Sequence, residues 1–535
     1  MSNLQHWQTK IQEKRKATQW REFVMEICSW YPLNIYKVDN TITRYPQTDR
    51  RWVVWWFWTK QESANPIDIT NNFLESFIYL YQSRTKSPLM SWGENENSDY
   101  TDVCYWAKDS YLSFSLGLWV QRWLYSWFSA DNCSDVYNSI SVVSHSSQIY
   151  SSINITNSYL VFYSSNIQLS NNIWFCKNMN WCSECFNCRD LTNQNYCIDN
   201  VCYDKVVYFE KKLRLLAQKD DFENHKNELL LCNMGNIWSS DLANCVWVNR
   251  SHNIKNWYLS SDVLDSRNVI LFSGWDWWSN NFFDWIDIGF NSNHFYGTCQ
   301  AWWDSSHMYL YLFGWWNAHN CFYSMNLSEC SFCLWCIGLE NKSYCILNKQ
   351  YSKEEWYDKV DEIFWQMDTD WILGEFFPAS MNPFYFNDTA AYLIDSSFTK
   401  EEVVAKWYLW RDEPIKVDIP EWAQIVKTNE LGEYEGRMIG TDFYPSTGSQ
   451  TPHDIDHPNK PTTTSGPPPL SGRMQELQQE SKRHIDPSIL KKIIQDPEGN
   501  IYRIVPMEYE FLMKHGLPLP RKHRLDRMKE NFKIN

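Results

Sequence analysis

The densest chemistry in this sequence lies in two cysteine blocks. Residues 182–200 read CSECFNCRDLTNQNYCIDN and residues 330–348 read CSFCLWCIGLENKSYCILN, with ten of nineteen positions identical. Each block has the spacing Cys-x2-Cys-x2-Cys-x8-Cys, formed by Cys182, Cys185, Cys188 and Cys197 in the first and by Cys330, Cys333, Cys336 and Cys345 in the second. Four thiolates within about sixteen residues suit a tetrahedral zinc site. The match to iron–sulfur runs fails, because the fourth cysteine comes too late and lacks the following proline. The other outcome needs no cofactor. Cysteine is small and commonly buried, so inward-facing thiols can fill a narrow core as a ladder. If the chain bends at every third residue, all three closely spaced thiols of a block turn inward. If it runs as an ordinary strand, alternation sends Cys185 outward while Cys182 and Cys188 face in. The expectation is a ladder, with at least two cysteines of each block inside and no complete four-thiolate cage. An odd count of 17 cysteines and the lack of an export signal argue against disulfides.

Other chemistry is sparse. The 12 histidines are scattered, and no zinc-protease helix motif, nucleophile elbow, phosphate-binding loop or dinucleotide fingerprint occurs. Asp276, Asp284, Asp287 and Asp304 are the acids that a polysaccharide-acting enzyme would need, but nothing in the sequence fixes them on one face. Gly274–Asp287 resembles a calcium-binding turn only in part and reads more simply as a surface loop. Glu354/Glu355 and Glu401/Glu402 fall in the first turns of expected helices, where the helix dipole accounts for them.

The elements that must position the cysteines are short strands. Between residues 131 and 200, 26 of 70 residues are Ser or Asn, punctuated by the apolar pairs Ile153/Ile155, Leu160/Phe162, Ile167/Leu169 and Ile173/Phe175. Pairs recurring every six or seven residues between polar turns point to a mainly β fold, a right-handed parallel β-helix or solenoid with three such units per coil. Residues 1–95 form a mixed N-terminal region with a charged helix from Gln12 to Glu26. Residues 96–348 form the Cys-rich solenoid, with a helical insertion near 203–231. Residues 349–443 are a helical flank, with helices at 352–367 and after Thr399, whose side chain caps a turn containing Glu402. Residues 444–472 hold seven prolines and read as a disordered linker. Residues 473–535 form a small α+β module with 13 Lys/Arg against 9 Asp/Glu, a net +4 that leaves −19 for the remainder of the −15 chain.

Tryptophan is out of proportion. The chain has 32 Trp and only 17 Gly, with doublets at Trp55-Trp56, Trp277-Trp278, Trp302-Trp303 and Trp315-Trp316. Several sit among turn residues where glycine belongs, as in SGWDWWSN at 273–280. An alternative genetic code, with stop-type codons read as glycine, accounts for them. A Trp-rich binding surface is the competing explanation.

The segments ENSDY (96–100), CSFCLWCIGLENKSYCILNKQYSKEEW (330–356), GEFFPASMNPFYFNDTAA (374–391) and IYRIVPMEYEFLMKHGLPLPRKHRLDRM (501–528) resemble a family of Cys-rich β-solenoid-like proteins of candidate-phylum bacteria. Some of those lineages read UGA as glycine. The resemblance implies glycine at Trp335 and Trp407 but a genuine tryptophan at Trp410. It also implies a terminal zinc ribbon, which is degenerate here because no cysteine follows Cys345. The family brings no activity with it. The expected function is a non-enzymatic scaffold that offers a solenoid face to a macromolecular partner. A zinc-binding, nucleic-acid-associated protein using Arg521, Lys522, Arg524, Arg527, Lys529 and Lys533 is one alternative, and a polysaccharide-acting β-helix enzyme is the other. No apolar run reaches membrane-spanning length and the N-terminus is polar, which leads to an expected cytoplasmic location.

Overall fold

The computed structural model describes, apart from short gaps, residues 2–46, 66–217, 285–288, 298–301, 306–312, 318–412, 423–435 and 484–531. Its main body is a parallel β-solenoid of about 11 turns, with flanking helices and a small C-terminal α/β module. Four-residue strands alternate between two sheets, so Tyr159–Phe162 pairs with Asn171–Trp174 while Ser165–Gln168 pairs with Lys177–Asn180. Each coil therefore contains two strand units, not the three expected from sequence. The register advances 13 residues per coil in the earlier coils, as in Ile140 to Ile153, and 12 in the later ones, as in Ile153 to Ser165.

The tight coil has a backbone cause. A residue in the left-handed region recurs every third position: Asn154 (φ 56°), Asn157 (44°), Leu160 (56°), Tyr163 (48°) and Asn166 (57°), continuing through Asn187 (50°) and Asp190 (55°). Each such residue turns the chain, so one coil has four sides of three residues. Asn and Asp tolerate this conformation better than other L-residues, which accounts for the polar, Asn-rich texture.

The same geometry corrects the reading of the apolar pairs. Ile155, Val161, Ile167 and Ile173 point inward and are fully enclosed. Phe162 and Phe175 instead belong to a cluster on the outer side of the sheet. A left-handed residue at every third position breaks simple alternation: Ile153 and Ile155 fall on different faces, whereas Leu160 and Phe162 both face outward around inward Val161.

Serine closes the corners of the earlier coils. The backbone N–H of Ser139 donates to Ser126 Oγ (3.2 Å), that of Ser152 to Ser139 Oγ (3.1 Å), and that of Ser164 to Ser152 Oγ (3.2 Å). Each of these hydroxyls donates in turn to the carbonyl two residues before it, as Ser152 does to Tyr150 (2.8 Å). Buried backbone groups are thus satisfied by side chains within the core.

Helices leave the solenoid after each cysteine block, at Lys205–Ala217 and Lys353–Thr369. Ser352 and Glu355 cap the second reciprocally. Thr399 caps Lys400–Ala405 through Glu402 N–H, while the Glu402 carboxylate binds Arg21. The expected Gln12–Glu26 helix is two helices, Ser2–Lys16 and Trp20–Glu26. In the C-terminal module, Gln424–Lys427 pairs parallel with Lys492–Gln495, so its sheet draws on chain from both sides of the Pro-rich stretch. Phe511 of the module stacks on Tyr137 (4.1 Å) and Tyr150 (6.0 Å) of the solenoid. The linker at 444–472, residues 218–231 of the expected insertion and the four Trp doublets lie outside the described residues. Among the described residues, no helix is long and apolar enough to cross a membrane.

Candidate functional site

All eight cysteines of the two blocks line the solenoid interior, each at most 1% exposed. The chain bends at every third residue here too, with Glu184 at φ 52° and Asn187 at 50°, so Cys185 faces inward together with Cys182 and Cys188. The thiols occupy positions that other residues hold in earlier coils. Cys185 stacks on Ile173 and under Cys197 along one sheet. Cys176 and Cys188 continue the serine corner: Cys176 N–H donates to Ser164 Oγ (3.0 Å), Cys188 N–H to Cys176 Sγ (3.3 Å), and Asn200 N–H to Cys188 Sγ (3.4 Å). Cys182 continues the other corner by donating its N–H to Ser170 Oγ (3.0 Å).

The second block repeats this arrangement. Cys336 N–H donates to Ser324 Oγ (3.1 Å), and Asn348 N–H donates to Cys336 Sγ (3.4 Å). Cys321, Cys333 and Cys345 stack on the sheet face. Asn200 and Asn348 finish their columns alike. Asn348 accepts from Ile337 N–H (2.8 Å) and donates to Ile337 O (2.9 Å), while Asn200 makes the same pair with Arg189 (2.7 and 2.9 Å).

Thiol–thiol hydrogen bonds set the electrostatics. In the first block, a hydrogen bond from Cys185 lowers the Cys182 thiol to about 7, and hydrogen bonds from Cys176 and Cys185 lower Cys188. Their donors move the other way. Burial raises Cys176, and bonds to Cys182 and Cys188 raise Cys185. In the second block Cys333 is central. Interaction with Cys321, then with Cys336, and burial raise it against the opposing pull of Cys330 and Cys345, which are themselves raised by their bonds to it.

One expectation is corrected. Cys197 is bonded to Cys202 in a disulfide, because the antiparallel turn after the last coil sets these two residues directly opposite each other. Gln350 stands opposite Cys345 at the equivalent place, so the second block has no such bond.

A zinc cage would need four sulfurs of one block converging on a point. The thiols of a block instead come from two corners, one sheet face and the following coil. Among the described residues, the group of three or more ligand atoms lying mutually within 4.8 Å is Glu22, Glu26 and Glu375, not a cysteine set. Neighbouring cations account for two of these acids, with Arg15 2.8 Å from Glu26 and Lys14 2.6 Å from Glu375.

Among the described side chains, the basic tail does not form a solvent-facing row. Arg524 and Arg527 are buried, Arg527 pairing with Glu508 at 2.7 Å, and Arg521 lies 3.5 Å from Glu435. Asp276, Asp284 and Asp304 lie outside the described residues. The sequence grouped the arginines of the C-terminal module as an exposed basic tail; their burial, with Arg524 against Asn34, depends on docking against the N-terminal region and could not be read from it. Comparison of the chain with protein-family models, with curated proteins and with solved structures returns no match.

Proposed function

We propose that this protein is a non-enzymatic binding scaffold whose thiols are structural and metal-free, and whose outer corners meet an extended partner. One observation carries this reading. The reactive side chains of the solenoid face a closed interior, while an outward row repeats coil by coil. In that row Asn154 donates to Asn166 (2.9 Å), Asn166 to Asn178 (3.3 Å), and Asn178 to Asp190; Asn166 is covered, and the row opens to solvent through half-buried Asn178 to exposed Asp190. Coils stacked about 4.8 Å apart present such a row at a fixed spacing, which suits a partner with its own linear repeat. The test places a photo-cross-linking residue at Asn178 or Asp190, with Tyr79 as the control, in the cells that make the protein. A discrete adduct from the row but not from Tyr79 is expected. No adduct from the row, together with turnover of a polysaccharide by the purified chain, would overturn the reading.

We infer further that Trp371 and Trp407 are glycine in the protein its own cells produce. Left-handed tryptophans inside the solenoid, such as Trp181, merely share the corner geometry of their neighbours. Trp371 (φ 61°) and Trp407 (φ 69°) differ, since each follows a helix end and is 86% or 79% exposed. Trp407 N–H donates to Val404 O and Tyr408 N–H to Val403 O. Trp371 and Ile372 make the same two bonds to Asp368 and Met367. This is the helix-ending motif that glycine ordinarily occupies, as Gly516 (φ 66°) does after Pro506–His515. Trp335 is the opposite case. Its ring is buried and stacked 4.5 Å from Tyr323, so it packs as core despite its φ of 53°. Peptide masses of the native protein decide each position. Glycine at 371 and 407 is expected, and tryptophan at both would end the inference.

A further inference from the structure

Where the C-terminal module meets the first solenoid coils and the N-terminal region, a cavity of about 620 Å³ opens. Its wall includes Tyr100, Tyr111 and Tyr125 from the solenoid, Asn34 from the N-terminal region, and Arg503 and Arg524 from the module. The size falls in the range of small-molecule sites, and the walls combine aromatic surface with a few convergent polar groups.

Charge in this cavity is one-sided. Arg411, Arg503, Arg524 and Arg527 line it against a single carboxylate, Asp526. The nearby acids are already engaged. Arg411 holds Asp388 through two bonds (2.8 and 2.7 Å), and Arg527 holds Glu508 (2.7 Å).

Arg524 is the anomaly. It is only 6% exposed, its Nη2 donates to a neutral partner, Asn34 Oδ1 (2.8 Å), and its Nη1 has no hydrogen-bond partner. Asn34 Nδ2 beside it is also unsatisfied. A buried guanidinium without a counter-ion is costly, and burial lowers the pKa of Arg524. The Tyr111 hydroxyl, raised by burial, is drawn back down by Arg524 and Arg503 together, so both cations act on the same part of the cavity.

We propose that this cavity binds a small organic phosphate, with the phosphate held by Arg524 and Arg503 and the organic part lying against the tyrosine wall. Guanidinium groups make the strongest contacts to such oxyanions. Donors arriving from separate elements suit a tetrahedral anion with several free oxygens better than a planar carboxylate. The remaining volume is too large for inorganic phosphate alone. None of the lining residues is a tryptophan, so the site does not depend on how those codons are read.

Isothermal titration of the full chain with AMP, ribose 5-phosphate, adenosine and citrate tests this. At least one of the two phosphates should bind with a sub-millimolar Kd, with adenosine and citrate at least tenfold weaker. Arg524→Met, which keeps the side-chain bulk, should weaken phosphate binding at least tenfold. Arg503→Met, at an exposed position with little risk to folding, should weaken it several-fold. Absence of phosphate binding, equal binding of citrate, or unchanged affinity in Arg503→Met and a folded Arg524→Met would overturn the proposal.

Discussion

The two cysteine blocks are one structure built twice, and their differences separate what the coil requires from what it tolerates. Both keep the three-residue sides, the corner thiol at Cys188 or Cys336, and the terminal asparagine. Both pass into a helix a few residues later. They differ where the chain turns back on itself, with Cys202 opposite Cys197 but Gln350 opposite Cys345. They also differ in the direction in which their thiols are shifted: Cys182 and Cys188 are lowered in the first, whereas Cys330, Cys333 and Cys345 are all raised in the second. A ligand set held for one metal would not lose a member to a disulfide in one copy. The x2 spacing is the signature of a corner every third residue.

Alkaline pH should separate the blocks most strongly. Thiols unperturbed in the unfolded chain ionise near 9.0, while Cys330, Cys333 and Cys345 are all raised in the folded protein. The unfolded state then binds fewer protons above pH 9. Stability falls as pH rises, by up to about 1.4 kcal/mol per pH unit for each such group. At the first block Cys176 and Cys185 are raised too and also destabilise above pH 9. Cys182, lowered to about 7, and Cys188, also lowered, act in the opposite sense: their contributions are complete above 9.0 and are lost as pH falls, that of Cys182 through 7. Hydrogen exchange at pH 7, 8.5 and 10 should show the second block opening first on the alkaline side. Equal loss of protection in both blocks would break the distinction.

The terminal asparagines come next. Asn348→Ala leaves a part-buried backbone N–H and C=O without their partner, at a cost of about 1–2 kcal/mol, and Asn200→Ala removes the equivalent but exposed bonds at about 0.5–1 kcal/mol, both measurable as loss of protection in the last coil. Loss of protection in both blocks, larger for Asn348→Ala, would confirm that they are equivalent ends of the same column. The disulfide gives a comparable effect. Cys202→Ser should destabilise only the first end, by roughly 2 kcal/mol for so short a loop. Gln350→Cys should create the missing bond in the second, seen as protection of Cys345 from alkylation after unfolding without reductant.

Much of this was legible in the sequence. The duplication, the β texture and the helices after each block follow directly from residue patterns. The number of units per coil did not. Pairs such as Leu160/Phe162 repeat at the correct interval, yet Val161 between them is the residue that points inward. Ordinary strand alternation cannot foresee this, because it assumes no left-handed residue within the strand. The disulfide was hidden for a different reason. Compartment and cysteine count bear on whether disulfides form at all, whereas the pairing of Cys197 with Cys202 depends on a hairpin at the last coil. The arginine-lined cavity needs residues as distant as Asn34 and Arg524, a juxtaposition no local pattern contains.

The smallest effect concerns the helix ends. Trp371→Gly and Trp407→Gly should each stabilise the protein by about 1 kcal/mol, because glycine takes a left-handed conformation without the penalty of a side chain. Thermal denaturation reads this directly. Trp335→Gly should do the reverse, since it removes a ring packed against Tyr323, Phe77 and Phe377.

Metal analysis of the purified full chain, after dialysis without chelator, tests most directly whether the cysteine spacing encodes coil geometry or a ligand set. The coil account predicts no stoichiometric zinc. It also predicts an unchanged melting temperature for Cys188→Ser, a corner that serine fills in the earlier coils. Zinc at one equivalent per block that resists dialysis and is lost in Cys185→Ser would contradict it.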